Sequence, residues 1–337
     1  MKLVTYQKEN IISIGIVVNN QIYDLPEADK SLPNNMLEFL QQGEQAMVKA
    51  KLIEKTISKY TPTLVFDAQK VLAPVPLPPS CRDAYAFRQH VSTSRRNRGV
   101  EMIPEFDQYP IFYFTNHNAI QGPGDVLCMK DHFQKLDFEL EAAIVIGKKG
   151  RNITAAQADN YIAGYLIMND ISARVLQMEE MILNLGPAKG KDFSTVIGPY
   201  LVTPDELEPY LKETKKGHTG NQYNLRMTCK VNGIEVSSGN MGDMDWTFAE
   251  IVERCAYGVD ILPGDVIGSG TVGTGCFLEL NGTGLLNNPD YNPQWLQAGD
   301  EVTMEIDALG VLTNFIVADN SDLSLLAIKK NMTTQKA

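Results

Sequence analysis

Residues 135–147 read KLDFELEAAIVIG, and the fold is decided by how this stretch is read. From Phe138 to Ile146 it is apolar except at Glu139 and Glu141, the composition of a buried strand. Side chains at i and i+2 leave a strand on one face, so the two carboxylates are predicted side by side where burial is expected. Adjacent buried negative charges need neutralising, and a hard divalent cation with oxygen ligands does this most directly. A metal site is therefore the first expectation.

The chain around this strand has 337 residues, enough for one large domain or a large domain with a small companion. With 44% hydrophobic and 21% charged residues it has an ordinary globular composition. Its net charge of -11 repels phosphate, which argues against nucleic acid or an anionic membrane as partner. The five cysteines show no CxxC spacing, so neither a disulfide framework nor a zinc knuckle is expected, and a reducing compartment fits. The N-terminus MKLVTYQKEN lacks an apolar signal core, and no apolar run approaches the roughly 20 residues of a membrane helix. A cytoplasmic protein is expected.

Residues 2–24 alternate apolar and polar positions, with Asn19-Asn20 placed as a hairpin turn, and helical spacing follows over 34–60. VLAPVPLPPS (71–80) reads as a linker, which divides the chain into a small unit of residues 1–71 and a larger one of 72–337. The larger unit is read as a series of short strands, including FLEL (277–280), with Asn232-Gly233 as a hairpin turn. Two helices interrupt it. One begins at Asp170 and carries Arg174 and Gln177 on one face; the other is WTFAEIVERCAYG (246–258), with a Thr247/Glu250 capping box and Gly258 as its stop.

GSGTVG (268–273) fits the dinucleotide pattern, but a strand is expected after it, so a tight turn or a close approach to a ligand is the better reading. Asp170 closes the apolar run GYLIMN, where a third carboxylate can join Glu139 and Glu141. Glu279, an acid in an apolar strand, needs a cation or a histidine, and His90 is the candidate. His117, His132 and His218 lie in polar contexts and are expected to be solvated. GPAKGKDFST (186–195) offers Lys189 and Lys191 as ammonium groups able to reach an oxyanion.

Taken together, RDAYAFRQH (82–90), DFELE (137–141), MNDISAR (168–174), GKDF (190–193) and FLEL after SGT resemble the fumarylacetoacetate hydrolase family from about residue 72 onward. The resemblance implies a mixed, mainly β fold, a fumarylacetoacetase-type β-sandwich roll preceded by a small SH3-like domain and assembled as a homodimer. It puts metal carboxylates at Asp83, Glu139, Glu141 and Asp170, for Mg²⁺ or Ca²⁺. By the same likeness His90 is the general base and Glu279 its partner acid. Arg174, Gln177 and Lys191 are oxyanion and substrate contacts, and Tyr85, Tyr113 and Thr271 are further substrate-side positions. The segment from Gln177 to Lys191 is a residue longer than is typical, which leaves Lys189 beside Lys191 as a candidate. The implied reaction is hydrolysis of a carbon-carbon bond in a 1,3-diketo acid such as fumarylacetoacetate, a step of aromatic amino acid catabolism. The alternative is an acylpyruvate hydrolase or an oxaloacetate decarboxylase-type lyase. Thr93, three residues after His90, stands where those smaller relatives carry Glu, which favours the larger fumarylacetoacetases.

Overall fold

The computed structural model describes residues 1–330. Its strands, in chain order, begin with β1 (Lys2–Lys8), β2 (Ile11–Val18), β3 (Gln21–Asp24), β4 (Cys81–Ala84) and β5 (Phe112–Thr115). Next come β6 (Gly124–Cys128), β7 (Leu140–Ile146), β8 (Ile162–Asp170), β9 (Thr195–Val202) and β10 (Arg226–Val231). The last are β11 (Ile234–Asn240), β12 (Val266–Gly268), β13 (Glu301–Ile306) and β14 (Gly310–Ala318). The main helices are α1 (Met36–Gln41), α2 (Glu44–Lys55), α3 (Arg88–Asn97), α4 (Arg174–Ile182), α5 (Phe248–Ala256) and α6 (Phe277–Asn287).

Strand β7 lies within a twelve-stranded sheet whose main path runs β3-β2-β1-β9-β8-β7-β12-β4-β5. A second sheet of five strands has the order β11-β10-β13-β14-β6. Both faces of β7 are covered, which is why its sequence is almost uniformly apolar. Leu140, Ala142, Ile144 and Ile146 share a core with the five-stranded sheet and α5. Ala143 and Val145 face the other way, into a core built with Phe39, Leu40, Ala46, Ala50 and Ile53 of α1 and α2.

That second core joins the first 71 residues to the rest of the chain. Strand β1 pairs with β9, Leu3 opposite Leu201, so the N-terminal strands extend the main sheet. They keep a small cluster of their own, Val4, Tyr6, Ile22 and Val71, while α1 and α2 cover the odd-numbered face of β7. The helix expected over 34–60 breaks in two at Gly43, whose φ of 64° lies in the left-handed region. Both predicted asparagine turns are present, with φ of 49° and 62° at Asn19 and Asn20 and of 51° and 79° at Asn232 and Gly233. The Thr247/Glu250 capping box on α5 is also formed.

FLEL is not a strand: Phe277 begins α6. Its local signals are weak, with two glycines inside the helix and no side-chain cap from Cys276. The cap comes from a distant part of the chain: Asp137 Oδ1 accepts from the Phe277 amide at 2.7 Å and Asp137 Oδ2 from the Leu278 amide at 2.9 Å. A helix therefore does follow GSGTVG, but the Asp137 carboxylate already fills the anion position at its N-terminus. Helix α4 likewise starts at Arg174 and not at Asp170, which is the last residue of β8. His132 is buried and not solvated; its ring packs against Phe193 with centroids 3.9 Å apart, and burial pushes the imidazole down to about 4. All five cysteines are free and buried.

Candidate active site

Register alone gathers the acids. β8 places Asn169 and Met168 opposite Leu140 and Glu141, while on the other side of β7 Gly268 of β12 lies opposite Ala143. Strand β12 then runs parallel to β4, which sets Asp83 beside Gly268 and, one strand further out, opposite Tyr113. One carboxylate oxygen from each of Asp83, Glu139, Glu141 and Asp170 consequently lies within 4.8 Å of the others, and all four residues are buried.

Charge is unevenly balanced across this cluster. Arg174 binds Asp137 through Nε at 2.8 Å and Glu139 through Nη2 at 2.8 Å. Lys191 donates to Glu139 Oε2 and, at 2.7 Å, to Asp170 Oδ2. Burial opposes both cations, but the acids outweigh it and hold each of them charged. Burial also opposes the charge on Glu139, yet Lys191 and Arg174 hold that carboxyl at about 2. Asp83 and Glu141 form no ion pair among the described residues, and Lys191 only partly offsets the charge of Asp83. Burial, helped by the charge of Asp170, pushes Asp83 up to about 7; burial with Asp83 alongside pushes Glu141 well above the carboxylate range.

The missing charge has a place to sit. Glu141 Oε2 and Asp170 Oδ1 are buried with no hydrogen-bond partner among the described residues. The space in front of them is kept open by Gly268, where a Cβ would stand 2.4 Å from Asp83 Oδ1 and 3.0 Å from Glu141 Oε2. A donor set made only of carboxylate oxygens fits a hard divalent cation.

Asp83 and Glu139 of the cluster lie on the wall of a cavity of about 770 Å³, which His90, Tyr85, Gln177, Lys191 and Thr271 also line. His90 projects from α3, and its Nδ1 lies 2.7 Å from Glu279 Oε2 on α6. The Thr274 amide donates to the same oxygen at 3.0 Å, which fixes the carboxylate. Tyr85 packs edge-on against His90, with centroids 5.9 Å apart. Thr271 places its hydroxyl 3.4 Å from Glu141 Oε1.

Every predicted site residue thus reaches one region, though some have partners that sequence could not indicate. Arg174 is occupied with Asp137 and Glu139, and its Nη1 donates to Gln177 Oε1 at 3.0 Å, leaving the Gln177 NH₂ free to donate. Tyr113 donates its hydroxyl to Asp170. Lys189 is half exposed and paired with Asp192, whereas Lys191 is buried in the cluster. Sequence reasoning passed over Asp137, which anchors both Arg174 and α6. The signal was present, since Asp137 precedes Glu139 in the same period-two alternation.

Fold and site together define a metal-type carboxylate centre on the main sheet, served by a histidine-glutamate pair held between α3 and α6. Residues 80–317 match the family model "Fumarylacetoacetate (FAA) hydrolase C-terminal", and the chain belongs to that family. Among its relatives is the bovine protein "Oxaloacetate tautomerase FAHD2A, mitochondrial", 30% identical over 327 residues, or 94% of this chain and 92% of that one. Another is "Oxaloacetate tautomerase YisK" of Bacillus subtilis, 27% identical over 94% of this chain and 100% of that one. The structure of fumarylacetoacetate hydrolase from Exiguobacterium antarcticum superposes with a TM-score of 0.70 at 25% identity, over 95% and 100% of the two chains. Maleylpyruvate hydrolase from Sphingobium sp. SYK-6, solved with manganese(II) and pyruvate, shares the fold with a TM-score of 0.68 at 18% identity, over 94% and 99%. The family therefore includes hydrolases and tautomerases.

Proposed function

We propose that the protein is a divalent-cation-dependent hydrolase that cleaves a carbon-carbon bond in a 1,3-diketo acid such as fumarylacetoacetate or an acylpyruvate. The observation that carries this reading is the 2.7 Å bond between Glu279 and His90 Nδ1, which backs an imidazole that lines the same cavity as Asp83 and Glu139. With Nδ1–H held by Glu279, Nε2 is the basic nitrogen. It takes a proton from water, and the water oxygen adds to the substrate carbonyl. The adjacent carbon-carbon bond then breaks: one fragment leaves as a carboxylic acid, and the other keeps the electron pair as an enolate and regains the proton from His90. The free Gln177 NH₂ and the third Nζ–H of Lys191 are donors for the negative oxygen. Asp83, Glu139, Glu141 and Asp170 would hold Mg²⁺ or Ca²⁺, which supplies Lewis-acid polarisation of the substrate oxygens.

A second reading is keto-enol tautomerisation of oxaloacetate, favoured by the relatives at 30% identity. It needs the same base but no water addition. We also read the protein as cytoplasmic, which its five free thiols fit, and as a homodimer, which light scattering would test.

The experiment is turnover of fumarylacetoacetate, acylpyruvates and enol-oxaloacetate, with EDTA and with added Mg²⁺, Ca²⁺ or Mn²⁺, for wild type and His90→Ala. Metal-dependent cleavage lost in His90→Ala supports the hydrolase. Ketonisation of oxaloacetate without cleavage of any diketo acid overturns it in favour of the tautomerase.

A further inference from the structure

The helix that carries His90 has little apolar surface to seat it. Over Arg88–Asn97 only His90 and Val91 are buried, and the remaining side chains are polar. One buried aliphatic side chain is a weak hold for a helix whose imidazole must stay within hydrogen-bonding reach of another helix. Polar fastenings do the rest. At the N-terminal end the Arg88 amide donates to Asp245 Oδ2 at 2.9 Å. Two turns beyond His90, Asn97 Nδ2 donates at 2.9 Å to the main-chain carbonyl of Glu279, the residue whose side chain binds His90. The same Nδ2 lies 3.3 Å from Thr283 Oγ1, and Arg96 Nη2 donates to that hydroxyl at 3.0 Å.

Helix α6 is shaped to receive this latch. A Cβ at Gly282 would stand 2.5 Å from Asn97 Nδ2 and 2.8 Å from Asn97 Cβ and Cγ. Glycine inside a helix is destabilising relative to alanine. At Gly282 the close approach of Asn97 accounts for it.

We propose that Asn97, seated on Gly282, is a positioning residue that holds α3 against α6 so that His90 and Glu279 meet. The inference rests on the His90–Glu279 pair being the base of the proposed function. It is tested with Asn97→Ala, Gly282→Ala, Glu279→Gln and the Asn97→Ala/Glu279→Gln double variant, by two measurements. The first is ¹⁵N NMR of the histidine rings, with His90 assigned by its absence in His90→Gln. The wild type should show the Nδ1–H tautomer, and both latch variants a mixture. The second is steady-state kinetics on the diketo or oxo acid turned over fastest, with cation affinity by calorimetry.

Each latch variant should lose on the order of 10²-fold in kcat, as a misplaced base does, with KM and cation affinity unchanged. Added to Glu279→Gln, Asn97→Ala should cost less than about twofold, because the charged partner that it brings to His90 is already gone. A rise in KM with kcat intact would make Asn97 a substrate contact, and a fully additive loss would make it a general stabiliser; either overturns the proposal. If Glu279→Gln itself leaves kcat unchanged, the base reading fails instead. The latch then stands or falls on the NMR, where an unchanged Nδ1–H signal in Asn97→Ala refutes it.

Discussion

Replacing Gly268 by alanine would build a Cβ 2.4 Å from Asp83 Oδ1 and 2.9 Å from Met168 Sδ, in the space that the acid cluster needs. We expect Gly268→Ala to weaken divalent-cation binding by at least about tenfold, the 1.4 kcal/mol that a small overpacking strain readily exceeds. Calorimetry with Mg²⁺, Ca²⁺ and Mn²⁺ checks it, and unchanged affinity would move the cation elsewhere. The two lysines of the 186–195 loop give a second contrast. Lys191→Ala should lower turnover on the order of 10²-fold, while Lys189→Ala, which loses a partly exposed pair with Asp192, should leave turnover and stability nearly unchanged. At this scale the chain was readable wherever a charge interrupts an apolar run, as at Glu139, Glu141 and Asp170. The partners of Arg174 and Tyr113 were not, because they follow from pairing between segments far apart in sequence.

Helix α6 shows why an element can hide. Its first turn is capped from residue 137, so neither the cap nor the charge that steadies it appears near residue 277. The same carboxylate binds Arg174, so Asp137→Ala would remove the cap and leave a buried guanidinium half paired. Urea denaturation should show a loss of about 3–5 kcal/mol, the usual cost of breaking a buried pair from one side. A loss below about 1 kcal/mol would mean that α6 is held by packing alone. Helix α5, by contrast, carries Thr247, Glu250 and Gly258 within its own sequence, and all three signals were read correctly.

The proline-rich stretch at 71–80 suggested two units, yet the sheet runs through the first 71 residues. Composition marks where a chain bends and not which strands later pair, so the pairing of β1 with β9 could not be read from sequence. The described chain has no helix long and apolar enough to cross a membrane. The acid cluster should also govern the response of the whole molecule to pH. Asp83 is raised from an unfolded value near 3.8 to about 7, so between those values the folded state binds the extra proton. In EDTA, stability is therefore greatest at the acid end of this window and falls as pH rises through 7. A divalent cation competes with that proton and should reverse the trend, stabilising the protein more at pH 8 than at pH 6. Thermal melts at the two pH values, with EDTA and with Mg²⁺, decide this; parallel curves would separate Asp83 from the cation.

The five buried thiols make the native molecule silent to an alkylating reagent. Each can react only while its own neighbourhood is open, so the labelling rate at each position clocks the excursions of that neighbourhood. Cys81 opens β4, the strand that carries Asp83, and Cys276 sits at the N-cap position of α6; Cys255 lies in α5, and Cys128 and Cys229 lie in the smaller sheet. A bound cation should slow Cys81 and Cys276 far more than Cys229, and mass spectrometry of the modified peptides would read the site's breathing without any substrate in hand.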